Sequence, residues 1–215
     1  MPTAPPVLSA IAAGTAPPPV LSVARFDRQC AAGVYPPGWD VELLDGTLVL
    51  RDRRDTPGRY EPGRFEEVGP RHSFFTRRLD ELLSPVAAAG GCCFRGQMGV
   101  SLPPRDGPQP DGLIARGTTA DYRDRNPGPA DVLLVAEVAL TSLAHDRGTK
   151  CRVYATAGLP TYWILDVAAL RLEVCTNPDL AAGVYRSEVV LTAADTATVP
   201  LPGGGVPLPL ADLLG

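Results

Sequence analysis

Three side chains in this sequence could do chemistry together: Asp111, Glu137 and Lys150. Glu137 interrupts an otherwise apolar run, 132–138. Burying a carboxylate in such a run is costly without a partner, and a divalent cation suits it best. Asp111 follows Pro110 and opens a second short strand-like run, 112–115. A cation of the Mg²⁺ type needs only one or two carboxylates and completes its shell with water and substrate phosphate. Asp111 and Glu137 would supply the carboxylates, with the carbonyl of residue 138 as a third oxygen. Such a metal, Mg²⁺ or Mn²⁺, activates bound water and stabilises charge on a phosphoryl oxygen. Lys150 would orient that water or offset the transition-state charge. This chemistry is phosphodiester hydrolysis. Each piece also has an ordinary reading. Asp111 also reads as an ordinary strand-start residue and Lys150, on its own, more readily as a solvated helix position, whereas Glu137 is harder to dismiss because its neighbours are all apolar.

These residues must be positioned by the stretch 131–166, which reads as strand, helix, strand. The run 132–138 suits a strand buried on both faces. The helix expected over 146–157 is closed by Gly158 and Pro160, with Thr141, Ser142 or Asp146 as caps. Lys150 and Tyr154 are four residues apart and share a helical face. The next strand is Tyr162-Trp-Ile-Leu165, and a helical crossover implies parallel pairing with the first.

Upstream, residues 1–22 are rich in Pro and Ala and are expected to be disordered, leaving 23–215 as the folded domain. A short helix is expected over 23–32, stopped by Gly33 and a turn at 36–38. Asp45-Gly46 between two apolar runs predicts a β-hairpin. Glu42 lies in its first strand, where it reads equally as a solvent-facing residue and as a further acid of the site. The stretch 51–70 reads as a long charged loop, with Arg51, Arg53, Arg54, Arg59 and Arg64 exposed. Phe75, Leu79, Leu82, Leu83 and Val86 predict a helix over 72–89, ended by Gly90-Gly91. His72, at its start, reads as a capping or surface histidine, with a role in a site as the lesser alternative. Strands are expected over 92–102, 171–176 (broken by Asn177-Pro178) and 185–191. The segment 200–209 reads as irregular Pro/Gly-rich chain before a short apolar tail.

Composition sets the bounds. The chain has 215 residues and a formal net charge of −4, so it is not a basic nucleic-acid coat; any nucleic-acid binding needs a local basic face. Five cysteines without a CxxC argue against a disulfide framework and a zinc ribbon, and point to a reducing compartment such as the cytoplasm. With only two histidines, a histidine-rich metal site is excluded. No apolar run approaches the ~18 residues a membrane span needs.

Taken in order, the motifs resemble the Uma-two family of restriction-endonuclease-like proteins, a branch of the PD-(D/E)xK nuclease superfamily. The resemblance covers roughly 26–214. It includes Glu42-Leu-Leu-Asp-Gly46, the His72 helix, Pro110-Asp111, Glu137-Val138, Asp146 with Lys150, Tyr154 and Gly158, and Tyr162-Trp-Ile-Leu-Asp166. It implies an α/β (α+β) restriction-endonuclease-like fold: a mixed sheet flanked by helices, with an N-terminal β-hairpin. It also implies Asp111 and Glu137 as metal ligands and Lys150 as the catalytic lysine. Ala139 occupies the usual lysine position, and the family often places that lysine on the next helix. Glu42 would be an additional acid near the site. Two departures stand out: Ala139-Leu-Thr-Ser142 replaces a Ser-Pro-Ser-like segment, and Thr47 stands where a second glutamate is frequent. The implied function is a metal-dependent DNA endonuclease, and cutting both strands calls for two sites, which a homodimer would supply. The alternative is a non-catalytic interaction module that has kept the fold. Crowded carboxylates repel, so removal of any of the three site residues is expected to raise or spare stability.

Overall fold

Both positions of the Asp45-Gly46 turn have positive φ, 52° and 74°, which is the twist a two-residue hairpin requires. The turn joins β1 (Trp39–Leu44) to β2 (Thr47–Asp52), with Leu43 opposite Leu48. The computed structural model describes residues 10–11, 13–35, 39–52 and 70–215. The turn expected at 36–38 and the loop arginines Arg53, Arg54, Arg59 and Arg64 lie outside the described residues. The chain divides into two compact units: residues up to 68 with 101–108, and residues 69–100 with 109–215.

The first unit contains the hairpin and α1 (Val23–Ala31), whose first turn is capped by the Ser22 hydroxyl accepting from the Arg25 N–H. Its core is Leu21, Val23, Phe26, Trp39, Val41, Leu43 and Leu48. The segment 101–108 closes on the hairpin tip. Leu43 and Gly107 exchange backbone hydrogen bonds, and the Gly46 N–H donates to the Arg105 carbonyl at 2.8 Å. A Cβ on Gly107 would come within 2.9 Å of the Phe26 ring, so glycine permits this approach.

Residues just before the expected boundary at 23 take part in this unit. Val20 bridges Thr47, the Leu21 N–H donates to the Gly46 carbonyl at 2.7 Å, and Leu21 is 3% exposed. A chain starting at Val23 loses that burial, worth about 1.5–3 kcal/mol for a leucine. It should therefore melt measurably below a chain starting at Val20. Equal melting temperatures would show that Leu21 contributes nothing.

In the second unit, α2 (Pro70–Ala89) buries Phe75, Leu79, Leu83 and Ala87, and Gly91 at φ 67° turns the chain into β3 (Cys92–Gly96). The strand expected over 92–102 is shorter than its pattern. Gln97 sits at φ 52°, which breaks the pleat, and beyond Val100 the chain passes to the first unit. The chain returns as β4 (Gly112–Arg116), then β5 (Val132–Ala139), every residue of which is buried. A helical segment follows: α3 (Leu143–His145), a π-helical turn (Asp146–Lys150) and α4 (Cys151–Thr156). Gly158 closes it at φ 73°. It leads to β6 (Thr161–Asp166), β7 (Arg171–Asp179) and β8 (Val184–Leu191). Their sheet has the order β3-β4-β5-β6-β7-β8 and is antiparallel except for the β5–β6 pair, which is parallel as the helical crossover predicts.

Two elements depart from the sequence pattern. Asn177-Pro178 does not end β7: Asn177 takes φ 60°, which asparagine tolerates, and the register with β8 is the same on either side. The Pro/Gly-rich stretch is a second hairpin, β9 (Thr196–Leu201) and β10 (Gly204–Pro209). Its prolines are accommodated because each strand has a single partner. Ala197, Val199 and Leu208 from this hairpin, with Leu213 and Leu214 of α5 (Ala211–Leu214), join α2 on one face of the six-stranded sheet. Ala136 and Val138 point into that core, so strand alternation turns Glu137 to the opposite face, over which the 143–156 helical segment lies.

Candidate functional site

The β4–β5 register pairs Gly112 with Ala136, so one step further places Asp111 beside Glu137. The Asp111 carboxylate accepts the Val138 N–H at 2.8 Å. Lys150 and Tyr154 reach the Glu137 carboxylate from the helical segment. The Lys150 ammonium donates to Glu137 Oε1 at 2.9 Å and the Tyr154 hydroxyl at 2.7 Å. The Lys150 and Glu137 side chains are 8% and 4% exposed, so the pair is largely withdrawn from water. Lys150 closes the π-turn, in which Asp146 and Lys150 are both buried. Interruptions of this kind recur at functional sites.

Three more side chains join them. His72 Nε2 lies 3.3 Å from Asp111 Oδ2, with His72 11% and Asp111 15% exposed. Asp146 is buried; its carboxylate accepts from the Ser142 hydroxyl, and its backbone carbonyl accepts from the Tyr162 hydroxyl at 3.1 Å. Tyr162 stacks edge-on against Tyr154, ring centroids 4.9 Å apart, which holds the tyrosine that faces Glu137. Below the turn, Arg147 makes two hydrogen bonds to the buried Glu173 carboxylate on β7, one of 2.9 Å. This ties the π-turn to the sheet.

Burial pushes the Glu137 carboxyl up to about 8. The charge and hydrogen bond of Lys150 work against this rise; the negative charges of Asp111 and Asp146 add to it. Burial also raises Asp146, against its hydrogen bond from Ser142. Glu137 thus binds a proton in the folded chain over a range in which the unfolded chain has lost it. Stability then falls as pH rises, by about 1.4 kcal/mol per pH unit for one proton. The contribution is complete below the unfolded value near 4.5 and is lost as pH rises through about 8. Melting temperatures of metal-free protein from pH 5 to 9 should show this decline. Glu137→Gln, which mimics the protonated form, should flatten it; an unchanged slope would place Glu137 outside the titration.

Of the residues named from sequence, Asp111, Glu137 and Lys150 come together. Glu42 belongs to the first unit, half-buried on β1 opposite Val49. His72 faces Asp111, the lesser of its two readings from sequence; its place in the opening turn of an amphipathic helix does not by itself separate that reading from a capping or surface histidine. Tyr154 was visible as the partner of Lys150 on one helical face. Ser142 and Asp146 were read as backbone caps, and instead their side chains bond to each other.

Among the described residues, no group of three or more His, Cys, Asp or Glu side chains could hold a metal ion. The donor set therefore fits only a hard cation that takes one or two carboxylates and completes its shell with water and substrate, as Mg²⁺ does.

A mixed sheet with helices, carrying two acids on adjacent strands and a lysine from the following helix, defines a protein of the restriction-endonuclease-like class. The comparisons agree. The family model "Uma2: Putative restriction endonuclease" matches residues 23–211, and the chain belongs to this family. A solved structure described as "a putative nuclease belonging to DUF820", from Anabaena variabilis, superposes with a TM-score of 0.59 at 13% identity, over 90% of this chain and 97% of that one. At that identity the likeness establishes the fold. No curated protein matches the chain. No described helix is long and apolar enough to cross a membrane.

Proposed function

We propose that the protein is a metal-dependent DNA endonuclease that hydrolyses phosphodiester bonds, with Asp111 and Glu137 as metal ligands. The observation that carries this reading is the meeting of Lys150 with Glu137 at 2.9 Å, while Asp111 stands on the adjoining strand beside His72. Membership in a family of restriction endonucleases supports nucleic acid as the partner.

A bound Mg²⁺ or Mn²⁺ would polarise a phosphoryl oxygen and lower the pKa of its water. Asp111 and Glu137 would hold it. The Val138 N–H fixes one oxygen of Asp111, and His72 steadies the same carboxylate from the side. Lys150 is held by Glu137 in a partly desolvated setting, where its charge acts more strongly on a nearby oxyanion than it would in water. It would orient the attacking water or offset the charge that develops on the phosphoryl oxygens. Tyr154 limits Glu137 to a single orientation. Glu42 is proposed as an accessory acid, its substitution by alanine acting as a weaker ligand variant.

The test is metal-dependent cleavage of double-stranded DNA, single-stranded DNA and RNA by the purified protein. Cleavage of DNA with Mg²⁺ or Mn²⁺, abolished by chelation, is expected. Cleavage of RNA alone would change the substrate. Binding without cleavage of any form would favour the interaction module.

A further inference from the structure

β8 is the terminal strand of the six-stranded sheet, and no described strand pairs with its outer edge, although near its start the Tyr185 N–H faces the Cys151 thiol. Edge strands are usually protected by being short or by carrying Pro, Lys or a bulge. β8 runs for eight residues as VYRSEVVL, with neither Pro nor Lys. Val184, Val189 and Val190 are 47%, 54% and 49% exposed along it. Successive residues point to opposite faces of a sheet, so Val189 and Val190 leave apolar surface on both.

We propose that β8 pairs antiparallel with β8 of a second copy of this chain, about a two-fold axis through Ser187, joining two six-stranded sheets into one. The occupant follows from charge. A two-fold axis normal to the sheet pairs residues of the same face, so only registers centred on a residue are allowed. Centring on Ser187 sets Arg186 against Glu188 of the second copy, twice, and Val184 against Val190. Moving the centre by one residue either way opposes Arg186 to Arg186 or Glu188 to Glu188. The strand is therefore complementary to itself in one register and repelled in its two neighbours. Asp179, on the inner neighbour β7, holds the Arg186 guanidinium at 2.8 Å, so each arginine would bridge Asp179 of its own chain and Glu188 of the other. The pairing stands independently of the nuclease reading, although it would give an assembly with two sites.

The wild-type protein should be a dimer by light scattering at micromolar concentration. Glu188→Arg opposes two arginine pairs and should weaken the dimer about tenfold or more. Adding Arg186→Glu to it should restore the dimer, because the opposite charges are then exchanged. Ser187→Cys, in a Cys30→Ser background to remove an exposed thiol, should form an intermolecular disulfide on mild oxidation, since the axis brings the two side chains together. All four positions are on the surface, and circular dichroism checks that each variant folds. A monomeric wild type would overturn the proposal. A dimer that ignores Glu188→Arg and gives no cross-link through Cys at 187 would overturn it equally, by placing the interface elsewhere.

Discussion

Asp111→Ala and Glu137→Gln should each abolish metal-dependent cleavage and metal binding together. Removing a group that merely supports a ligand typically costs 10–100-fold in affinity, so removing a ligand should cost more than about 100-fold. The physical reason is the small donor set. With only two carboxylates proposed as ligands, the loss of either removes half of the protein's donors. Glu137→Gln is the more informative change. It keeps the shape of the side chain and an oxygen that can accept from Lys150 and Tyr154, so the fold should persist while the charge is gone. Isothermal titration with Mg²⁺ or Mn²⁺ and single-turnover cleavage are the measurements. If Glu137→Gln binds metal like the wild type, Glu137 is a structural partner of Lys150 and the ligand assignment fails.

Lys150→Ala should separate binding from turnover. Its loss removes a positive charge beside the carboxylates, so metal binding should be retained or strengthened. Turnover should fall by roughly two to three decades, the usual loss for one preorganised electrostatic contact. Wild-type turnover in this variant would end the case for Lys150. The stability outcome differs from the sequence-based expectation. Crowded carboxylates alone would gain from any removal, but Glu137 is paired. Lys150→Ala leaves the buried Glu137 carboxyl without one of its hydrogen-bond partners, at a cost of roughly 1–3 kcal/mol for a buried polar group. Thermal unfolding of metal-free Lys150→Ala should therefore show a clear drop. A variant as stable as the wild type would return the argument to simple repulsion.

Much of this site is legible in the chain because its signals are local. A carboxylate inside an eight-residue buried strand, a lysine and a tyrosine four apart on a helix, and a glycine-closed crossover each follow from spacing, and β5, the helical segment and β6 form as that spacing implies. The Asp45-Gly46 hairpin is equally local, since two residues suffice to specify its turn. Other features depend on distant partners. The pattern over 92–102 cannot show that Gln97 leaves the pleat, and a Pro/Gly-rich composition cannot show that 196–209 closes as a hairpin against α2. His72 becomes a site residue only because the sheet brings Asp111 to the opening turn of a helix begun some forty residues earlier in the chain. Which residue types could hydrolyse a phosphodiester was thus determined by the sequence itself, through local periodicity and the cost of burying Glu137. Their convergence was decided by the tertiary structure. The β4–β5 register sets Asp111 beside Glu137, and the π-turn, tied to β7 through Arg147 and Glu173, sets Lys150 against it. Register and helical phase depend on packing between segments far apart in the chain, which no local pattern encodes.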